Sequence, residues 1–254
     1  MQVKISAVII TFNEEKNIRR CIESLQDIAD EVLVVDSFSK DRTKEICLEL
    51  NARFLEHKFI GHIEQKNWAK DQAKHNYILS LDADEALDET LKRSIQEVKG
   101  DWKFDAHKMN RLTNYCGQWI HHTAWYPDTK VRLFHKGKGV WGGLNPHDEF
   151  MINKEVEINH LGGDLLHYSF YTKEEHLLQI EKFSTIGAKA LFTKGKRANY
   201  LLVLVKPLAR FIKNYIVRKG FLDGKAGFDI SRFSAYANYL KYSKLIKIQK
   251  GREV

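Results

Sequence analysis

Over the first hundred positions, short apolar runs alternate with segments of helical period. Ile5 to Thr11 (ISAVIIT) is continuous and rich in β-branched residues, the pattern of a strand buried on both faces. From about Glu14, Ile18, Ile22 and Leu25 recur at helical spacing. Glu31 to Asp36 (EVLVVD) predicts a second strand, and Asp41 to Leu50 a helix with Ile46 and Leu50 on one face. Ala52 to Leu55 suits a short third strand, Ile63 to Lys74 a helix, and Tyr77 to Leu81 (YILSL) another buried strand. This order predicts an α/β fold with right-handed crossovers, a mainly parallel sheet and helices on both faces. Ligands of such sheets bind beyond the carboxyl ends of the strands. Thr11 and Asn13, Asp36 and Ser37, and Asp82 and Asp84 all fall there.

Near the other end of the chain, Leu201, Leu204, Val205, Leu208, Ile212 and Ile216 share one broad helical face. Lys206, Pro207, Arg210 and Lys213 interrupt it, which disfavours a bilayer span. An interfacial helix pair, or helices packed on the domain with a basic face in solvent, fits better.

Charge sharpens that picture. The 254 residues carry a net +8, unevenly placed. Lys194 to Val254 hold 15 Lys/Arg against 3 Asp/Glu, or +12, whereas the preceding 193 residues hold 26 against 30, or −4. A basic extension on a mildly acidic domain points to an anionic membrane or an anionic acceptor, not to nucleic acid. Hydrophobic (43%) and charged (29%) fractions are those of a soluble globular protein. Cys21, Cys47 and Cys116 are dispersed and odd in number, as expected of reduced packing residues in a cytosolic chain. The apolar stretch of MQVKISAVII is too short for a signal peptide or a span.

The chemistry centres on Asp82-Ala83-Asp84-Glu85. Residues two apart in an extended segment point the same way, so Asp82 and Asp84 can present two carboxylates to one site. Such a pair suits Mn²⁺ or Mg²⁺, whose other positions phosphates can fill. Alone, the same residues suit a strand followed by an acidic helix cap, because Asp88-Glu89-Thr90 opens a helical pattern. No GxGxxG follows the first strand and no GxxxxGK[ST] occurs, so a nucleotide phosphate would need a metal and basic side chains.

Four segments in series resemble the family 2 glycosyltransferases of GT-A fold: AVIITFNEEKNIRRCIESL, DEVLVVDSFSKDRTKEI, HIEQKNWA and ILSLDADE. NRLTNYCGQWI, HTAWYPDTKVRLFHKG and GFLDGKAGF narrow the resemblance to lipopolysaccharide-core glycosyltransferases of the WaaE/KdtX type. The resemblance implies inverting transfer of a hexose from a nucleotide sugar, UDP-glucose or another UDP-hexose, to a hydroxyl of a glycan or glycolipid acceptor. Thr11, Asn13 and Glu14 match the first nucleotide-contacting turn, and Asp36, with Ser37 beside it, the acidic residue that reads base or ribose. Asp82 and Asp84 match the metal motif, with Asp84 the expected direct ligand. Gln65 and Lys66 match a motif near the donor, although FIGHIEQKN departs from a more glycine-rich form. Under this reading residues 1–190 form the catalytic domain, 1–100 its nucleotide-sugar half and 101–190 its acceptor half. Residues 191–254 form a basic helical extension, and the protein works peripherally at the inner face of the cytoplasmic membrane.

Inverting transfer needs a carboxylate within hydrogen-bonding reach of the acceptor oxygen. Asn145-Pro146-His147-Asp148-Glu149 supplies Asp148 first and Glu149 second, with Asp128 behind Pro127 as a structural turn residue. Gly137, Gly139, Gly142 and Gly143 suggest a loop able to close over donor. Lys66 is an added positive charge or a solvated helix lysine, and Asp36 a nucleotide contact or a turn cap. Trp119, Trp125, Tyr126 and Trp141 either stack on a sugar or pack the core. His121, His122, His135 and His147 lack zinc-ligand spacing. Three rivals remain: a sugar-nucleotide pyrophosphorylase, which would begin with a glycine-rich loop; a degenerate glycosyltransferase acting as scaffold; and a basic nucleic-acid or membrane-binding module.

Overall fold

The computed structural model describes residues 2–144, 147–153 and 156–253. It divides into two compact units: Met1–Arg111 with Asp128–Tyr168, and Leu112–Pro127 with Ser169–Val254.

The chain begins with β1 (Ile5–Thr11), α1 (Ile18–Glu23), β2 (Glu31–Asp36), α2 (Thr43–Glu49), β3 (Arg53–Glu56), α3 (His62–Gln72) and β4 (Tyr77–Asp82). It continues through β5 (Glu85–Leu87), α4 (Glu89–Gly100), β6 (Ala106–Tyr115), β7 (Gln118–Ile120), β8 (Asp128–His135), β9 (Gly139–Leu144), β10 (His147–Ile152) and β11 (Ile158–Phe170). Three helices follow: α5 (Lys173–Thr193), α6 (Tyr200–Ile212) and α7 (Gly224–Gln249). The main sheet has the order β3-β2-β1-β4-β8-β6-β11-β5, with β7 beside β6. β3, β2, β1 and β4 are parallel, whereas β8 joins β4 and β6, and β11 joins β5, antiparallel. The α/β class with C-terminal helices is the one the sequence predicts, and the sheet is mixed. The antiparallel strands come from the half of the sequence without strand–helix alternation.

Strand alternation explains the layering of the first unit. Ile5, Ala7 and Ile9 of β1, Val34 of β2, and Leu79 and Leu81 of β4 join one core with residues of α1, α2 and α4. Their neighbours Val8, Leu33, Val35 and Ile78 join a second core with Ala69 of α3 and with Trp141 and Phe150. Adjacent residues thus face opposite layers, which is why these strands are apolar throughout.

Two local expectations change. The glycine-rich run is not a loop: residues 139–144 are β9, paired antiparallel with β10. A Cβ on Gly142 would lie 2.3 Å from the Met151 sulfur, so glycine permits close packing of the hairpin. Cys21 and Cys47 are buried packing residues, but Cys116 is exposed in a turn at φ 51°.

In the second unit, Tyr115, Ile120, Phe170 and Ile230 form the core, with Trp125 packed against it. A capping box of Thr172 and Glu175 starts α5. Lys244 of α7 donates to Ser184 and Thr185 of α5, fixing that pair of helices. A Cβ on Gly227 would fall 1.8 Å from the Gly220 carbonyl oxygen. That contact explains the paired glycines of GFLDGKAGF. On α6 and the π-helical turn after it, Leu201 (66%), Leu204 (70%), Leu208 (61%) and Val217 (69%) are largely exposed. Among the described residues no helix is long and apolar enough to cross a membrane.

Candidate active site

β1, β2 and β4 run parallel, so their carboxyl ends lie together, and the loops there are fastened to one another. After β1, Asn13 takes a left-handed backbone (φ 55°). Its N–H donates to Ser39 Oγ (2.7 Å) and its Oδ1 accepts from Lys40 N (2.8 Å). Asp36 is 1% exposed and accepts from the Ser39 backbone N–H at 2.7 Å, so it does shape the following turn. Gln65 is fully buried and donates to Ser37 Oγ while its Oε1 meets His57 Nδ1 at 2.8 Å. Gln65 therefore holds the loops after β2 and β3. Thr11 Oγ1 is buried and, among the described residues, has no hydrogen-bond partner.

The acidic turn is built in layers. Asp88, not Asp82 or Asp84, caps α4, accepting from Leu91 N (2.6 Å). Glu85 is buried; it accepts from the Asp82 N–H (2.9 Å) and from Arg132 (2.8 Å), and so fixes the turn. Asp82 is held on both oxygens, Oδ1 by Lys66 Nζ (2.9 Å) and Oδ2 by Arg132 (2.8 Å). Burial works against its charge, but Lys66 and Arg132 hold the carboxyl well below the ordinary carboxylate range. For Arg132, burial favours the neutral form, and Glu85 and Asp82 more than reverse this.

Asp84 has a different partner. Its Oδ2 lies 3.1 Å from His167 Nε2, and its carbonyl accepts from Tyr168 N (2.9 Å). His167 stands opposite Glu85 in the β11–β5 register, which brings it to the turn. Glu14 is nearby in electrostatic terms. Burial pushes its pKa up to about 7, with Asp84, Asp41 and Asp82 adding to the rise and the Asn17 hydrogen bond opposing it.

Asp84 offers a carboxylate of the kind Mn²⁺ and Mg²⁺ take, with the His167 imidazole beside it, and a bound diphosphate would supply the further oxygens such a cation needs. Both oxygens of Asp82, by contrast, are already engaged. Among the described residues no three His, Cys, Asp or Glu side chains gather as a ready metal cage. The side chains present would fit a site of two protein ligands that a bound diphosphate would have to complete.

Lys66 is buried rather than a solvated helix lysine, and it also contacts Asp148 Oδ2 at 2.8 Å. One ammonium thus spans the acidic turn and β10. Its Nζ lies 4.7 Å from the ring centroid of Trp141, whose backbone is clamped by Asn67. Trp141 is a core residue that meets Phe134 and Phe150 edge-on, and Trp125 packs with Tyr115 and Phe170. Glu149 follows Asp148 in the strand, so it faces the other way and is exposed. Asp128 pairs with Arg111 (2.6 Å), a structural role. Asn145 and Pro146 of the candidate base segment lie outside the described residues.

The residues missing from the sequence reading are His167, Arg132 and the anchoring role of Glu85. Arg132 had a signal, a lone cation inside the apolar strand VRLF. His167 had none nearby, because 82 residues separate it from Glu85, its partner in the sheet register.

Comparison with known proteins places the chain in a family. The family model "Glycosyl transferase family 2" matches residues 6–155. An uncharacterized glycosyltransferase of Rickettsia typhi is 30% identical, covering 99% of this chain and 90% of its own length. The lipopolysaccharide core biosynthesis glycosyltransferase LpsC of Rhizobium meliloti is 27% identical, covering 96% and 92%. Among solved structures, S. aureus TarS 1-349 in complex with UDP shows 16% identity and a TM-score of 0.48, over 98% of this chain and 92% of that one. With the family model spanning more than half of its length and relatives at this identity along nearly all of it, the chain belongs to glycosyl transferase family 2 and is a glycosyltransferase.

Proposed function

We propose that the chain transfers a hexose, with inversion and metal assistance, from a UDP-hexose such as UDP-glucose to a hydroxyl of a lipopolysaccharide-core or related glycan acceptor. The observation that carries the reading is the Lys66 bridge, 2.9 Å from Asp82 and 2.8 Å from Asp148. It sets the candidate base one side chain away from the acidic motif. Likeness to LpsC, a lipopolysaccharide core biosynthesis glycosyltransferase, supports the acceptor class. Resemblance to the WaaE/KdtX type supports the donor.

In this scheme Thr11, Asn13, Glu14, Asp36 and Ser37 line the nucleotide end. Asp84 and His167 would hold Mn²⁺ or Mg²⁺, which when bound stabilises the negative charge of the diphosphate leaving group. Lys66 adds positive charge there and orients Asp148 through Oδ2. The acceptor oxygen bonds to the anomeric carbon as the bond to the diphosphate breaks. Its proton passes to Asp148 Oδ1, and the bonding pair leaves with the phosphate oxygen. Glu149 remains the second candidate.

The exposed leucines of α6, with Lys206, Arg210 and Lys213 among them, support peripheral attachment to an anionic bilayer at the inner face of the cytoplasmic membrane. Aliphatic side chains interleaved with cations suit lipid better than nucleic acid, which is bound through stacking aromatics.

Release of UDP from UDP-glucose on addition of Mn²⁺ tests the enzymatic reading. Turnover that Asp84→Ala abolishes is expected. A folded protein that binds no nucleotide sugar and hydrolyses none would leave the scaffold reading in its place.

A further inference from the structure

The second unit contains a cavity of about 250 Å³, lined in part by His121, Thr123, Tyr126, Val217, Arg218 and Lys219. It is smaller than the roughly 300–1,000 Å³ of sites for drug-sized ligands, so it suits a headgroup and not a whole glycan. Its walls are fixed. Buried Asp223 accepts from the backbone N–H groups of His121 (3.2 Å) and His122 (2.9 Å) and contacts His122 Nδ1 (2.9 Å). Thr123 N donates to the Arg218 carbonyl (3.2 Å), joining the two lining segments. Asp223 and His122 thus satisfy each other, and Arg218 and Lys219 leave two cations in the lining, with the His121 ring as a further polar group. Among the described residues the lining holds no carboxylate.

Two further features point to a ligand. Thr123 (φ 72°), Ala124 (φ 148°) and Lys219 (φ 53°) all adopt backbone conformations that favour glycine. Such conformations gather at binding sites, where surrounding contacts over-determine them. Lysine at a position that glycine would fill with less strain puts the weight on its side chain. Arg218 and Lys219 are also flanked by exposed apolar residues, Ile216 and Val217 before them and Phe221 and Leu222 after them. Cations set between exposed apolar side chains match an anionic group carried on a hydrocarbon.

We infer that this cavity binds the phosphate headgroup of a membrane-borne amphiphile, with Arg218 and Lys219 gripping the oxyanion and Val217 meeting the adjoining apolar part. The inference deepens the reading of the C-terminal helices as a lipid-facing surface and rests on it.

Calorimetric titration of the full chain with monomeric dihexanoylphosphatidate at low salt tests it. Saturable binding is expected, weakened about tenfold or more in R218Q/K219N, since a hydrogen bond to a charged group contributes about that much. Asparagine is used at 219 because it tolerates the left-handed backbone. His121→Glu, which puts a negative charge in the lining, should weaken binding independently. K194Q/K196Q removes two charges elsewhere in the unit and should stay within twofold of the parent. Binding unchanged in both R218Q/K219N and His121→Glu, equal loss in K194Q/K196Q, or no saturable binding by the parent would overturn the site. Inorganic phosphate binding as tightly as the amphiphile would overturn the amphiphile assignment. The monomeric ligand needs no bilayer, so failure here is distinct from failure of vesicle attachment.

Discussion

Lys66 Nζ lies 2.9 Å from Asp82 Oδ1 and 2.8 Å from Asp148 Oδ2, bridging the acidic turn and β10 with one buried ammonium. Removing one member of a buried ion pair leaves the others uncompensated, which destabilises by about 3 kcal/mol or more. Lys66→Met should therefore lower the urea midpoint as well as kcat, and Lys66→Arg should recover more of the stability than of the rate. Stability equal to that of the parent would show that the bridge does not form.

The exposed face of α6 gives a second prediction. Burying a leucine side chain contributes roughly 1.5–3 kcal/mol, so L204S/L208S should reduce flotation with anionic vesicles on the order of tenfold or more. Both residues are exposed, and the substitution should leave the thermal midpoint and UDP-glucose hydrolysis in solution unchanged. Flotation equal to that of the parent would remove the case for attachment through α6.

His107 gives the third. Its side chain is fully buried, neither ring nitrogen has a hydrogen-bond partner among the described residues, and burial pulls its pKa down to about 4. The unfolded histidine titrates near its ordinary value of 6.5. Between these values the unfolded chain binds the extra proton, so stability falls as pH drops from about 6.5 toward 4. The loss reaches on the order of 3 kcal/mol. Glu14, pushed up to about 7, acts in the opposite sense over much of the same range, because there the folded state holds its proton. The clean observable is the difference between parent and His107→Leu in denaturation midpoints across pH. The parent should lose stability relative to the variant as the solution is acidified. A pH-independent difference would show that His107 is not held neutral.

How legible these features were in the sequence depended on how local their causes are. β2 is found at its predicted bounds, Glu31–Asp36, because the apolar run VLVV is closed at each end by a carboxylate, Glu31 and Asp36. The acidic turn was legible as chemistry but not as geometry. Nothing in DADE shows that Asp82 is neutralised by Lys66 and Arg132 while Asp84 meets His167. Those partners come from α3, β8 and β11, and only the closing of the sheet brings them in. The glycine run before Asp148 suggests a loop because glycine signals freedom of the backbone, whereas Gly142 serves the close approach of Met151 within a hairpin. The apolar face of α6 was legible from its period, but its exposure was not, since the same pattern suits packing against a neighbour.

The pairing of Asp84 with His167 as holders of a divalent cation is tested most directly by Mn²⁺ titration followed by electron paramagnetic resonance, with and without UDP. The parent should bind Mn²⁺ weakly alone and more tightly with UDP, whose phosphates complete the coordination. Asp84→Ala and His167→Ala should each weaken Mn²⁺–UDP binding by at least about tenfold, the scale on which even outer residues of a metal site act. Asp82→Asn should weaken it less, since both Asp82 oxygens already serve Lys66 and Arg132. Mn²⁺–UDP binding unchanged in both Asp84→Ala and His167→Ala would contradict the assignment.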